Sequence, residues 1–348
     1  MHPISLESQK TQIKQWLAQF PAQAPVVAVP IFNAYADLME CIASLQAHTP
    51  VDCPLLLVDD ASTDERIPAD LTALATQLPQ RFAYVRNPAN QGFVGSANFI
   101  FAAAGRRDVV LVNSDIVLPP RWLPRLQAAA YARAQCATAT PLTNHGSILS
   151  IPERNQPQGS LPNGWTCTEV DQRVEAASLK LRPVIPTAVG HCTYFRRSAL
   201  DVVGDFDMAF YPGYGEEVDF SQRAISHSFV HLAADDLFVF HKGSQSFGAA
   251  KSPTRQPDFK AAHEEILRQR YPWYSAWVYD VANRRHHPLA LALERASKAL
   301  TGYSIALDLT YLAPTTTGTS VVALELARAL QARIAQPYQL TLILRDAE

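Results

Sequence analysis

The chain has 348 residues, 48% of them hydrophobic and 18% charged, with 30 basic residues against 32 acidic ones. This is the composition of a folded globular protein with room for more than one core, and the near-neutral balance lacks the basic footprint of a nucleic-acid binder. No uninterrupted apolar run is long enough to span a bilayer, no signal-peptide pattern is present, and five scattered cysteines (Cys41, Cys53, Cys136, Cys167, Cys192) fit neither a disulfide framework nor zinc-ligand spacing. A reduced, cytoplasmic protein is the expectation.

From the amino terminus, Ile13, Trp16, Leu17 and Phe20 recur at helical spacing and Pro21 ends the run. This predicts a helical appendage over residues 1–24, either packed or trailing. Residues 25–32 (Pro-Val-Val-Ala-Val-Pro-Ile-Phe) read as the first strand and 35–48 as a helix with Leu38, Cys41, Ile42 and Leu45 on one face. A second strand, 54–58, ends in Asp59-Asp60-Ala61-Ser62-Thr63-Asp64. A helix to Leu78, a short strand at 82–85 and a loop feeding a helix closed by Gly105 come next. The fourth strand, from Asp108, runs into Asn113-Ser114-Asp115 before apolar residues resume ahead of a Pro-Pro turn. Strand and helix alternate from residue 25 to about 130, the pattern of a doubly wound α/β half. No GxGxxG follows the first strand, so a dinucleotide site is disfavoured.

Residues 141–186, rich in Pro, Asn, Gly and Gln, are expected to form long loops over the sheet. A strand at 188–196, turns at 204–207 and 211–215, a helix from Glu216 and a strand at 238–240 ending in His241 follow. Residues 256–300 read as helical. Beyond them a strand at 303–308, a Thr/Gly-rich loop at 315–320, a helix at 321–335 and a strand at 340–344 resemble the opening of a βαβ unit.

Four groups able to hold a cation or move a proton lie at strand ends or a helix start: Asp60, Asp115, Glu217 and His241. Ligands of open α/β sheets bind at the carboxyl ends of strands, and carboxylate oxygens there suit a divalent cation. Each residue also has a purely structural reading. Asp59 and Asp60 can cap a helix, and Glu216 and Glu217 can complement a helix dipole. Asp219 and Arg223, four apart, can form an exposed ion pair, and His241 can be a core histidine bonded to backbone. Their joint placement favours a site.

The ordered set Val29-Pro30-Ile31-Phe32-Asn33, Val58-Asp59-Asp60-Ala61-Ser62-Thr63-Asp64, Asn90-Gln91-Gly92-Phe93, Asn98 and Asn113-Ser114-Asp115 resembles the GT-A nucleotide-sugar glycosyltransferases, above all the inverting family 2 and its rhamnosyltransferase-like members. Gly190-His-Cys-Thr-Tyr-Phe-Arg-Arg, Gly204-Asp-Phe-Asp, Gly215-Glu-Glu-Val-Asp-Phe-Ser-Gln-Arg223 and His241-Lys-Gly-Ser-Gln-Ser-Phe continue the likeness, over about residues 25–250. The resemblance implies an α/β GT-A fold, with a Rossmann-like nucleotide half and an acceptor half around one continuous mixed sheet. It implies that Pro30, Phe32 and Asn33 border the nucleotide pocket, that Asp60 accepts a hydrogen bond from the base, and that Gly92 and Asn98 flank the nucleoside. Asn113, Ser114 and Asp115 match the Asp-x-Asp motif, with asparagine at the first acid, so Asp115 is left as the main carboxylate for Mn²⁺ or Mg²⁺. His241 matches a histidine that completes the metal shell in some relatives. Glu217 aligns with the catalytic base, where the family more often has Glu-Asp than Glu-Glu, and His191 and Glu216 are candidates for acceptor contacts.

The implied donor is a nucleotide-diphosphate sugar, UDP- or dTDP-linked. The implied acceptor is a saccharide or lipid-linked saccharide of cell-surface polysaccharide synthesis, with peripheral association at the inner membrane face. Residues 303–348 resemble the start of a family 4 GT-B glycosyltransferase, which implies a second transferase domain, incomplete here. The expected divisions are therefore 1–24, 25–250, 251–302 and 303–348. Two rival readings are a non-catalytic GT-A-like binding module and a sugar-nucleotide pyrophosphorylase. Retention of acids at 115 and 217 opposes the first, and the lack of a Gly-rich basic loop after the first strand opposes the second.

Overall fold

The computed structural model describes residues 6–154, 156, 159–243, 259–312, 317–333 and 339–344. The motif that begins at His241 therefore continues outside the described residues from position 244. The first half alternates strand and helix as its apolar runs require: β1 (Val26–Ile31), α2 (Tyr35–His48), β2 (Leu55–Asp59), α3 (Arg66–Gln77), β3 (Phe82–Arg86), α4 (Gly92–Ala103) and β4 (Val109–Val112). Helix α1 (Leu6–Leu17) precedes them. Nearly every residue of β1, β2 and β4 is buried, which explains their unbroken aliphatic sequences, since a parallel sheet is covered on both faces.

The second half comprises β5 (Ile116–Val117), α5 (Trp122–Ala130), β6 (Cys136–Thr143), α6 (Cys167–Ala177), β7 (Val184–Ile185), β8 (Cys192–Phe195), α7 (Arg197–Val203), α8 (Glu216–Ser226) and β9 (Val230–His241). The strands form one sheet of order β3-β2-β1-β4-β8-β6-β9-β5, with β7 also on β9. The β3–β2–β1–β4 portion is parallel, and β8 runs antiparallel between β4 and β6. This continuous mixed sheet is the α/β architecture expected.

Two apolar clusters lie on opposite faces, with Leu38, Leu45 and Trp122 in one and Phe99, Phe195 and Phe220 in the other, and a third gathers Leu142, Val170 and Phe238 further along the sheet. Helix α1 contributes Ile13 and Leu17 to the second cluster. The Arg107 guanidinium donates to the carbonyls of Leu17, Phe20, Pro21 and Ala24, closing off the end of that helix. Helix α1 is thus packed on the sheet.

The expected loops of 141–186 are only partly loops. Strand β6 extends to Thr143, and α6 forms because Thr166 and Glu169 make a reciprocal capping box. Its buried face includes Cys167, Val170 and Val174, too sparse a pattern to stand out, and Asp171, whose carboxylate forms a buried two-point pair with Arg125. A buried acid at a core position hides the helical period from a sequence reading.

Past residue 258 come α9 (Phe259–Arg270), α10 (Tyr274–Asn283) and α11 (Pro288–Thr301). A separate pair of parallel strands, β10 (Ser304–Asp308) and β11 (Gln339–Ile343), is connected through α12 (Gly318–Arg333) around Leu309, Ala323 and Ala327.

Candidate active site

The carboxyl ends of β1, β2 and β3 lie level, with Ile31 beside Asp59 and Asp59 beside Arg86. Asp59 is wholly buried and is taken up by structure, accepting from Ser62 N at 2.8 Å, Tyr84 OH at 3.0 Å and the Arg86 guanidinium. Asp60 faces the next loop: its Oδ1 accepts from Gln91 N and Asn87 Nδ2, each at 2.7 Å. Burial pushes the Asp60 carboxyl up, and these donors offset only part of that.

Pro30 and Phe32, half-buried, border the same edge. Asn33 adopts φ 57° and its Oδ1 accepts from Thr63 N at 2.8 Å, tying the loop after β1 to the loop after β2. Gly92 opens α4 at φ 68°, and a Cβ there would lie 2.7 Å from Pro212 O. Only glycine allows that approach, through which Phe93 N donates to Pro212 O at 2.7 Å and docks the 211–214 turn on α4. Both polar groups of the Asn98 side chain are engaged by the Phe206 backbone, each at 2.9 Å, so the residue couples α4 to the 204–207 turn.

Asn113, Ser114 and Asp115 join β4 to β5, and antiparallel pairing of Ile116 with His241 brings the acid and the imidazole together. Asp115 Oδ2 lies 3.3 Å from His241 Nε2, and Asp115 O accepts from Lys242 N at 3.1 Å. Asn144 clamps the His241 backbone on both sides, donating to its carbonyl at 2.8 Å and accepting from its N–H at 2.7 Å. The ring Nδ1 is 2.7 Å from His145 O, where it can only donate. The Nδ1 proton is thereby committed, so Nε2 carries the lone pair in the neutral ring and donates to Asp115 only when the ring is protonated.

Burial alone would push Asp115 up and His241 down. The hydrogen bond and charge each supplies to the other prevail, so Asp115 ends below its ordinary value and His241 above. The far nitrogen of the imidazole is anchored on a backbone carbonyl, as in metal-bound histidines, so the pair can offer a cation two donor atoms. No group of three His, Cys, Asp or Glu side chains able to hold a metal occurs among the described residues. A cation here therefore fits only if a bound ligand supplies further oxygens.

Glu216 and Glu217 open α8 after Gly215 at φ 100°. Glu216 is buried, and its Oε2 has no hydrogen-bond partner among the described residues. Glu217 is half-buried and its Oε2 accepts from Gly215 N at 3.3 Å. Burial raises both carboxyls, Glu216 further because it also faces the charge of Glu217. A Cβ on Gly190 would lie 4.0 Å from Glu217 Cδ, and Asn113 N donates to His191 O at 3.0 Å. Residues 190–191 therefore bridge the acid of α8 and the acidic turn after β4.

The model of glycosyl transferase family 2 matches residues 26–204, more than half of the chain. The chain belongs to this family. An N-acetylglucosaminyl-diphospho-decaprenol L-rhamnosyltransferase of Mycobacterium tuberculosis is 24% identical over 306 residues, 79% of this chain and 95% of that one. An uncharacterised glycosyltransferase of Nostoc is 34% identical over 100 residues, 29% of this chain and 30% of its own length. Among solved structures, GalNAc-T7 with UDP, GalNAc and Mn²⁺ superposes with a TM-score of 0.55 at 14% identity, over 79% of this chain and 55% of that one. The protein is a GT-A glycosyltransferase of family 2.

Several features of this glycosyltransferase's site were not singled out in the sequence. His145 stacks on His241 with ring centroids 5.2 Å apart, and Lys242 pairs with Asp37 at 2.9 Å and Glu40 at 2.7 Å on α2. Nothing in local sequence marks either, because both depend on which strand ends meet. Asp219 makes the pair with Arg223 that the spacing allowed, but it is wholly buried and also holds α9 against α8.

Proposed function

We propose that this family 2 enzyme moves a sugar, with inversion, from a nucleotide-diphosphate sugar to a hydroxyl of a saccharide or lipid-linked saccharide, with a divalent cation held by Asp115 and His241. The observation that carries the reading is the pairing of those two side chains at the sheet edge, with Nε2 3.3 Å from Oδ2, while Glu217 stands across residues 190–191. Mn²⁺ or Mg²⁺ suits one carboxylate, one imidazole and phosphate oxygens. When bound, such a cation supplies charge stabilisation for a leaving diphosphate.

Glu217 takes the base role. The acceptor oxygen forms its bond to the anomeric carbon as the bond to the diphosphate oxygen breaks, and the diphosphate leaves with the electron pair. The acceptor proton passes to a Glu217 carboxylate oxygen. Burial makes that carboxylate more basic than an exposed one, in the direction a general base needs. Glu216, raised further, keeps its proton longer and leaves Glu217 as the ionised member. Asp60, Pro30, Phe32, Asn33 and Gly92 frame the nucleotide pocket, and Ser114 and Asn113 shape the turn beneath the diphosphate.

The mycobacterial relative's name includes a diphospho-decaprenol, which supports a lipid-linked acceptor and work at the inner membrane face. No helix among the described residues is long and apolar enough to cross a membrane. Residues 25–250 form the transferase domain in this reading, with the helices of 259–301 as an extension and the small βαβ unit after them as a separate module. The test is calorimetry with UDP-, dTDP- and GDP-sugars, with and without Mn²⁺. The wild type should bind one class only with the cation, and Asp115→Ala should lose that binding. Binding that ignores both cation and substitution removes the metal assignment.

A further inference from the structure

One imidazole of α9 sits directly behind the proposed base. His263 is buried, with the rings of Phe210 and Phe259 at centroid distances of 5.4 Å and 5.7 Å. Its Nδ1 lies 3.1 Å from Gly213 O and 2.9 Å from Tyr214 O, where it can only donate. The Tyr214 carbonyl belongs to the same peptide unit as Gly215 N, which donates to Glu217 Oε2 at 3.3 Å. A trans peptide plane directs its C=O and its N–H in opposite directions, so the hydrogen bond to His263 aims that N–H at Glu217. The preceding unit repeats the arrangement: its carbonyl is Gly213 O, and its N–H, that of Tyr214, bonds to Glu216. Tyr214 adopts φ 74°, a conformation that a residue other than glycine keeps only where its surroundings hold it. Helix α9 supplies those surroundings. Lys260 Nζ lies 3.8 Å from the centre of the Tyr214 ring, and a Cβ on Gly215 would lie 3.2 Å from Leu267.

We propose that His263 is a positioning residue for the transfer reaction, fixing the two peptide units ahead of α8 so that the Gly215 N–H keeps the Glu217 carboxylate in one orientation. The inference rests on the reading of Glu217 as the base and adds to it a support from outside α8. Packing alone does not explain this side chain. A phenylalanine or leucine would fill the space beside Phe210 as well, and Arg270 and Tyr271 already fasten α9 to α8 through Asp219. What the imidazole adds is one N–H placed on two carbonyls of the segment that leads into the base. Without it the Tyr214–Gly215 peptide can rotate and carry its N–H away from Glu217. A general base acts through the placement of one oxygen, and a shift of about 1 Å at such a centre can cost about 10²-fold in rate.

The test compares His263→Phe, which keeps a ring beside Phe210 and removes the N–H, with His263→Asn, whose amide can donate from near the Nδ1 position. Each is made in the wild type and in Glu217→Gln. Transfer is assayed below Tm in Mn²⁺ with UDP-glucose, UDP-N-acetylglucosamine, dTDP-rhamnose and GDP-mannose as donors. The acceptor is N-acetylglucosaminyl diphosphate on a short prenyl chain, and donor binding is measured by calorimetry on the same preparations. With the donor that the wild type uses, His263→Phe should lower kcat about 10–100-fold while acceptor KM and donor affinity stay within about twofold. His263→Asn should keep kcat within about threefold of wild type. In Glu217→Gln, His263→Phe should change the residual rate by less than about twofold, because no base is left to position. If His263→Phe does not fold, His263→Leu takes its place in the same cycle. Unchanged kcat in the folded variant, an equal loss in His263→Asn, or a loss that multiplies that of Glu217→Gln would each overturn the proposal and leave the base assignment standing. A wild type that uses none of the four donors, or a Glu217→Gln enzyme with transfer within about tenfold of wild type, would instead overturn the site reading on which the proposal rests.

Discussion

Removing the Asp219 carboxylate should loosen the element that carries the proposed base. Asp219 is wholly buried and accepts from Arg223 Nε at 2.8 Å, Arg270 Nη1 at 2.7 Å and Tyr271 OH at 2.8 Å. In Asp219→Ala, Arg223 keeps the carbonyls of Val203 and Asp205, and Arg270 keeps Asp207. Tyr271 OH loses the partner it has in the wild type, and two guanidiniums face a site without its charge. Breaking a buried ion pair from one side costs about 3–5 kcal/mol. Because the Arg270 side chain is 37% exposed, the lower end applies, about 3 kcal/mol. At about 2–4 °C per kcal/mol for a domain of this size, Tm should fall roughly 6–12 °C. Thermal unfolding followed by circular dichroism measures this directly. Transfer activity, assayed well below the new Tm, should also drop, because α8 presents Glu217 only two residues away. A Tm within about 2 °C of wild type would refute the reasoning, since no buried pair could then be anchoring α9 to α8.

Two further outcomes test other joints of the fold. His231 is wholly buried between Thr138 Oγ1 and Ser221 O, and burial pushes its pKa down from 6.5 to about 4. The unfolded chain then binds the proton first, so this contribution to stability is present above pH 6.5 and is lost as pH falls toward 4. Between pH 7 and pH 5 the wild type should lose about 2 kcal/mol more than His231→Gln in urea titrations, and equal losses would contradict the assignment. Gly92→Ala places a methyl 2.7 Å from Pro212 O at a positive φ. It should cost at least about 1–2 kcal/mol and weaken donor binding, read by unfolding and calorimetry, and a neutral result would show that the 211–214 turn does not need that approach.

Much of the fold was legible because buried parallel strands write themselves as aliphatic runs, as in β1, β2 and β4. The ordered polar strand ends, Asp59-Asp60 and Asn113-Ser114-Asp115, marked the sheet edge where the candidate site lies. Helix α6 was missed because its buried face carries Asp171, whose partner Arg125 lies 46 residues earlier on α5. The burial of Asp219 was hidden for the same reason. Its near neighbour Arg223 suggested an exposed i, i+4 pair, while the partners that bury it, Arg270 and Tyr271, arrive from a distant helix. The stack of His145, His191 and His241 comes from three separate stretches of chain that only the strand order β4-β8-β6-β9 brings to one edge. Local pattern cannot report such meetings.

The central claim, that Glu217 takes the acceptor's proton across from a diphosphate held at Asp115, is tested most directly by Glu217→Gln. Donor binding and acceptor transfer should be measured on the same preparation. The account predicts donor affinity within about twofold of wild type and transfer reduced about 10²–10⁴-fold, the range expected for loss of a general base. Transfer within tenfold of wild type, with donor binding intact, would contradict it.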